Sequence, residues 1–303
     1  LKAESLIFDI KRYAINDGPG IRIAVFLKGC NLNCAWCHNP ESISPGREKM
    51  YSVTKCIRCG TCISACPHTA LKMTPDGIVT DTALCDQCGI CAEECPTLAI
   101  EMSGKTMTVS EIIEAIEKER VFFDQSGGGV TFSGGEPLLH TDLLLELLEE
   151  CGRRGIHRAV DTAGAVAPEV LMEVAAKTDL FLWDYKLDDD AEHKKWTGSG
   201  NRLIKENLRM LSASGASIIV RIPFVGSVNN NSGNIEATAR FLASLPNLPL
   251  EVNILPWHKI AVNKYARLGR QGDFIAFSEP TAEERAEAVS IFESFGIKAS
   301  VGG

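Results

Sequence analysis

Eleven of the twelve cysteines in this 303-residue chain fall between Cys30 and Cys95, and no other feature limits its folding choices so sharply. A disulfide scaffold would be short and loop-rich throughout. Here a long stretch containing only Cys151 follows. The N-terminal Leu1-Lys2-Ala3-Glu4-Ser5 lacks the apolar core of a secretory signal. Reduced thiols in the cytoplasm are therefore the expectation, and thiols packed this densely ligate metal. No apolar run reaches the roughly 18 residues that a membrane span needs. A net charge of −8 offers no basic face for nucleic acid.

Two segments repeat one pattern: Cys56-x2-Cys59-x2-Cys62-x3-Cys66-Pro67 and Cys85-x2-Cys88-x2-Cys91-x3-Cys95-Pro96. This is the spacing of bacterial two-cluster ferredoxins, in which each run's fourth cysteine serves the other cluster. The crossed rule assigns Cys56, Cys59, Cys62 and Cys95 to one [4Fe–4S] cluster. It assigns Cys66, Cys85, Cys88 and Cys91 to the other. Paired CxxC segments also suit tetrahedral zinc, but two identical ferredoxin runs favour iron–sulfur. Two clusters in so small a segment suggest an electron path; a purely structural role stays open.

Around these runs, residues 46–103 read as an insert of short, Cys/Pro/Gly-punctuated pieces, and residues 1–45 and 104–303 as its host. Residues 5–29 read as strands, the last at 21–27. Thr108-Val109-Ser110-Glu111 is a capping box that opens a helix to about Arg120. A strand follows at Gly129–Ser133, with Gly127-Gly128-Gly129 as its flexible lead-in, since nothing after it fits a phosphate loop. A helix carrying Leu143, Leu144, Leu147 and Leu148 ends near Gly155 and holds Cys151 as a buried structural thiol. Strands at 157–161, 179–184, 217–222 and 250–255 alternate with helices near 168–177, 202–214 and 233–244. Thr281-Ala282-Glu283-Glu284 caps a last helix. Six βα-type strands imply an α/β fold with a helix-covered parallel sheet. Periodicity fits an open sheet and a partial barrel equally.

Cys30-x3-Cys34-x2-Cys37 offers three thiolates and no obvious fourth, so a [4Fe–4S] cluster there keeps one iron open to an outside ligand. Trp36 supplies an aromatic wall beside it. The segment Cys30-Asn31-Leu32-Asn33-Cys34-Ala35-Trp36-Cys37 resembles the radical S-adenosylmethionine (SAM) signature. The resemblance implies that the amino and carboxylate groups of SAM chelate the open iron. One electron then cleaves the sulfonium, and the 5′-deoxyadenosyl radical abstracts a hydrogen atom. Ser133-Gly134-Gly135-Glu136-Pro137 resembles the family's GGE motif, in which the backbone of Gly134 and Gly135 and the carboxylate of Glu136 would receive the methionine ammonium.

Further matches close other strands, and C-terminal strand ends form the active-site face of βα folds. By the same resemblance, Asp161 and Asp184 would flank a monovalent cation near the SAM carboxylate, and Lys186 would pair with that carboxylate. Arg221 and His258 match positions that contact the cofactor; Arg221 precedes Phe224-Val225-Gly226, where the family has valine-proline-glycine. A capping aspartate, a surface lysine and a satisfied histidine are the plain alternatives, and only their joint placement favours a site.

Asp17-Gly18-Pro19-Gly20-Ile21-Arg22, then Phe26, Gly29-Cys30 and Cys37-His38-Asn39-Pro40, is similar to the signature of glycyl radical enzyme activating enzymes. That likeness covers nearly the whole chain. It implies a partial (β/α)6 radical SAM barrel with an inserted ferredoxin-like α+β domain. The activity implied is hydrogen abstraction from a backbone glycine of a large partner, a glycyl radical enzyme. A flavodoxin or ferredoxin would donate electrons, the chain would be monomeric, and no membrane or nucleic acid would be involved. Members with the insert pair with choline, glycerol, isethionate or arylacetate lyases and related enzymes. The Gly-Pro-Gly turn carries no bulk, so another backbone can approach it closely. Two other readings remain: a radical enzyme acting on a small molecule or RNA, and an electron carrier, which needs neither GGE nor strand-end charges.

Overall fold

Apolar residues alternating with polar ones in β1 (Leu6–Ala14), and a nearly continuous apolar run in β2 (Arg22–Leu27), pair these segments antiparallel. The computed structural model describes residues 6–302, so the Leu1–Ser5 segment read for a signal lies outside the described residues. Among the described residues no helix is long and apolar enough to cross a membrane.

The chain then leaves the sheet for the insert. Strand β3 (Glu48–Tyr51) precedes helix α1 (Thr61–Ser64), a hairpin of β4 (Leu71–Thr74) and β5 (Gly77–Thr80), helix α2 (Ile90–Glu93) and strand β6 (Ile100–Ser103). Strand β3 pairs antiparallel with β6, and β4 with β5. The cysteine repeat is also a backbone repeat. Cys56 and Cys85 lie 29 positions apart, as do Arg58 and Gln87, Gly60 and Gly89, and Thr69 and Leu98, all eight at matching places in the two runs. Arg58, Gln87, Thr69 and Leu98 take positive φ (59°, 62°, 50° and 53°), which non-glycine residues rarely adopt. The backbone amides of Ala70 and Ala99 donate to Cys66 Sγ and Cys95 Sγ at 3.3 and 3.2 Å.

Strand β7 (Lys105–Thr106) returns to the outer edge of β1. The capping box at Thr108 opens α3 (Val109–Glu117), which stops short of the expected Arg120 where Glu119 turns to pair with Arg12 at 3.3 Å. After α4 (Arg120–Ser126) the alternation proceeds through β8 (Gly129–Gly134), α5 (Thr141–Arg153), β9 (His157–Thr162), α6 (Pro168–Ala175) and β10 (Leu180–Asp184). It continues with α7 (Asp190–Thr197), α8 (Arg202–Ala213), β11 (Ile218–Phe224), α9 (Ser232–Ala243) and β12 (Glu251–Pro256). Short α10 (Val262–Arg267), α11 (Ala282–Ser294) and β13 (Ala299–Val301) complete it.

All six expected strands are present, and β13 extends their parallel run. The strand order is β13-β12-β11-β10-β9-β8-β2-β1-β7. It does not close, so the α/β fold is a partial barrel with β13 and β7 as edges. Ile23, Val25, Val130, Phe132, Val160 and Trp183 share one core with the leucines of α5 and with Cys151, which is fully buried as expected.

Of the glycines at 127–129, the last two are closely packed rather than slack. A Cβ on Gly128 would stand 1.9 Å from the Ile21 carbonyl oxygen, and one on Gly20 would stand 2.5 Å from the Gly128 nitrogen. The backbone that the Gly-Pro-Gly turn admits is thus the chain's own. Arg22, fully buried, clamps this crossing by donating from Nε to Thr131 Oγ1 (2.7 Å) and from Nη2 to the Val130 carbonyl (2.6 Å). Gly128→Ala is expected to cost about 1–3 kcal/mol, read as a lower denaturation midpoint, while Gly127→Ala, beside open space, adds no clash and only strains a left-handed backbone at φ 68°.

Candidate active site

The loop between Cys30 and Cys37 is held by the backbone rather than by side-chain burial alone. Gly29 and Cys30 donate to the carbonyls of Ser42 and Ile43, at 2.7 and 3.1 Å. Asn33 and Ala35 donate to Thr197 and Trp196, the last carbonyls of α7, at 2.7 and 2.9 Å. Helix ends leave such acceptors free. Helix α7, absent from the sequence reading, therefore positions the cysteine loop.

Cys30, Cys34 and Cys37 face a cavity of about 600 Å³. Trp36, Gly134, Gly135, Asp161, Asp184, Lys186, Arg221 and His258 line the same cavity. Parallel pairing explains the gathering: Asp161 is register-matched to Leu182, and Asp184 to Arg221, so the polar side chains collect at the C-terminal strand ends. Trp36 forms its wall as expected, packed in an apolar group with Leu187, Val225, Val228, Trp257 and Phe277.

Burial pushes the thiols of Cys30 and Cys37 up to about 12 and raises Cys34 as well. Thiolates in such a place need a neighbouring cation, which an iron–sulfur cluster supplies. The site also carries fixed charges. Lys186 pairs with Asp184 at 3.0 Å. Although burial opposes its charge, Asp184 and the Cys34 thiol hold Lys186 above the ordinary lysine range. Arg221 stands 3.4 Å from Asp161, 3.7 Å from Asp17 and 3.8 Å from Asp184, too far for good hydrogen bonds. Its Nε and Nη1, and Oδ1 of both Asp161 and Asp184, are buried without hydrogen-bond partners. Burial, only partly offset by Arg221, pushes Asp161 up to about 6. The unpartnered buried atoms are of both signs, and they suit a ligand that brings an ammonium and a carboxylate. The residues fit SAM.

Glu136 departs from expectation. Its carboxylate is fully buried and does not line the cavity. Oε1 accepts from Thr162 Oγ1 (2.7 Å) and the Leu138 amide (3.2 Å), and Oε2 from the Ala163 amide (3.0 Å). Glu136 pins the turns after β8 and β9, leaving Gly134 and Gly135 to line the cavity. Asp17 and His38 line the cavity but escaped the sequence reading of the site. His38 stacks near His258, with ring centroids 4.6 Å apart, and burial pushes it down to about 4.

In the insert, Cys56, Cys59, Cys62 and Cys95 line one small cavity, and Cys66, Cys85, Cys88 and Cys91 another. These are the crossed sets. Among the described residues, no group of three or more His, Cys, Asp or Glu side chains is arranged to hold a single metal ion.

Comparison with known proteins agrees with this geometry. Residues 83–242 match the Radical SAM superfamily, residues 55–99 a 4Fe-4S dicluster domain, and residues 16–71, which contain Cys30, Cys34 and Cys37, a 4Fe-4S single cluster domain. The chain is 39% identical over 300 residues to the trans-4-hydroxy-L-proline dehydratase activating enzyme of Clostridioides difficile, covering 98% of this chain and 99% of that one. It belongs to the glycyl radical enzyme activating enzymes of the radical SAM superfamily. The choline trimethylamine-lyase activating enzyme of Oleidesulfovibrio alaskensis is 38% identical over 274 residues, 89% of this chain and 88% of the relative. A solved domain of a pyruvate-formate lyase-activating enzyme from Bacteroides vulgatus is 37% identical, with a TM-score of 0.51, covering 58% of this chain and 99% of that domain. The activating enzyme is thus a radical SAM oxidoreductase that contains iron–sulfur clusters and acts with SAM.

Glu136→Gln turns an amide N–H toward donors that now meet a carboxylate, and is expected to destabilise the fold by about 1–3 kcal/mol. Burial pushes Glu136 up to about 7 in the folded chain, so its stabilising contribution is full below the unfolded value and lost as pH rises through the folded one. The advantage of wild type over Glu136→Gln should therefore shrink by up to about 3 kcal/mol between pH ~4.5 and ~7, as measured by denaturant unfolding. An advantage independent of pH would mean that Glu136 is not titrating there.

Proposed function

We propose that this activating enzyme carries three [4Fe–4S] clusters and serves a glycyl radical dehydratase or lyase of the kind its relatives activate. The observation that carries this reading is the shared cavity: three thiols without a fourth ligand, beside unpartnered buried carboxylates and cations. The crossed cysteine sets support one cluster each in the insert. When bound, SAM beside the three-thiol cluster supplies a one-electron cleavage whose 5′-deoxyadenosyl radical takes hydrogen from a partner's backbone glycine.

The chain's own residues bind and orient. Lys186 pairs with the methionine carboxylate, and its buried ammonium is held ready by Asp184. The backbone at Gly134 and Gly135 receives the ammonium group. The free Oδ1 atoms of Asp161 and Asp184 face that group or a monovalent cation, and Arg221 keeps the two carboxylates from repelling one another. His258 lines the same cavity and would contact the rest of SAM. Trp36, Trp257 and Phe277 close the apolar side and keep water from the reacting atoms. A flavodoxin or ferredoxin supplies electrons to a monomeric, cytoplasmic chain.

An anaerobic assay with dithionite and SAM should yield 5′-deoxyadenosine, and Cys34→Ala should abolish it while the insert keeps its iron. Incubation with the cognate partner should give a glycyl doublet in the electron paramagnetic resonance (EPR) spectrum. Nucleoside formation without a doublet on any candidate partner would point to a small-molecule or RNA substrate instead.

A further inference from the structure

The internal repeat of the insert makes its two cluster sites comparable position by position, and at one position they differ in charge. Strand β3 corresponds to β5, and β4 to β6, each pair 29 positions apart. The corresponding cavity walls match: Leu71 and Ala70 line the Cys66/Cys85/Cys88/Cys91 site, as Ile100 and Ala99 line its twin. Lys49 and Ile78 are likewise equivalent, yet one is a cation and the other a buried aliphatic residue.

Lys49 is held in place. Its strand pairs opposite Met102, its amide donates to Gln87 Oε1 at 3.0 Å, and its ammonium hydrogen-bonds Thr80 Oγ1. The other titratable side chains on that cavity, the cysteines apart, are Asp86 and His68, an exposed pair at 2.9 Å whose influence water screens. Exposed Arg47 lies against Gly89 at the rim.

The site that Lys49 faces is also the one nearer the barrel. At the barrel end of the β3–β6 ribbon, Glu48 is opposite Ser103, and Lys28 of the barrel bonds both, at 3.0 and 3.5 Å. Arg270 also pairs with Glu48. The next pair, Lys49 and Met102, lines the Cys66/Cys85/Cys88/Cys91 site; Tyr51 and Ile100, two residues further out, line the other. That is a step of about 7 Å along a strand.

We propose that the Lys49 ammonium makes the two insert sites electrically unequal, holding the barrel-side cluster of Cys66, Cys85, Cys88 and Cys91 at the higher reduction potential. A four-thiolate cluster gains one negative charge on reduction and no proton or bond changes, so a fixed cation beside it stabilises the reduced form. An electron delivered to the insert by a low-potential one-electron carrier then rests on the side facing the Cys30/Cys34/Cys37 site. Lys49 is a positioning residue, and the inference rests on the cluster reading above.

The test is an EPR-monitored redox titration of the full, anaerobically reconstituted chain, with the barrel-side wave identified as the one lost in Cys88→Ala. Lys49→Met should lower that wave about tenfold in its equilibrium constant, about 59 mV for one electron, and leave the outer wave in place. Lys49→Arg should keep the wild-type value, and Lys49→Gln gives the same reading should Lys49→Met lose iron. Unchanged potentials in Lys49→Met or Lys49→Gln at full iron content would overturn the role of Lys49. An insert without clusters in the wild type would instead overturn the cluster reading itself.

Discussion

Three thiols buried side by side cannot all ionise unless positive charge is supplied among them, and the architecture around Cys30, Cys34 and Cys37 follows from that requirement. The chain provides no fourth thiol there, and the nearest cation it offers, Lys186, is already shared with Asp184. Iron must bring the rest. Charge is also concentrated further out: Arg221 stands among Asp17, Asp161 and Asp184, and Lys186 beside Asp184, leaving buried polar atoms of both signs for a zwitterionic ligand. Parallel pairing places Asp161 and Asp184 near their strand ends and Arg221 opposite Asp184, and all of them line a cavity rather than hydrocarbon.

The insert meets the same problem differently. Each of its sites has four thiols, so no corner is left for an outside ligand, and left-handed residues at matched positions turn the loops around the sulfurs. Ion pairs from Glu48 to Lys28 and Arg270, and from Glu101 to Arg267, tie this segment to the barrel. The chain thus has two kinds of cysteine site, one lined by three thiols and two lined by four.

Much of this was legible in the sequence because thiol spacing and strand-end motifs are local. The six strands lie where alternation puts them, the crossed cysteine sets line separate cavities, and eleven of the twelve residues that spacing and the family resemblance name for the SAM site line one cavity. What was illegible depends on partners far along the chain. Helix α7 has almost no apolar stripe, so nothing periodic announces it, although Asp189 caps its first turn and Gly198 ends it. A GGE string says nothing about where Glu136 points; that is decided by Thr162 and Ala163, on a different strand. Gly128 reads as slack in the sequence because the Ile21 carbonyl that fills its space is over a hundred residues away.

The central claim is that one iron of the N-terminal cluster is ligated by SAM and by no side chain. Electron–nuclear double resonance on the reduced enzyme, with SAM labelled by 15N at the amino group and 17O at the carboxylate, tests it directly. The account predicts hyperfine coupling of both labels to the cluster, lost when Cys34 is replaced. A reduced cluster that shows no coupling to either label, with SAM bound, would contradict it.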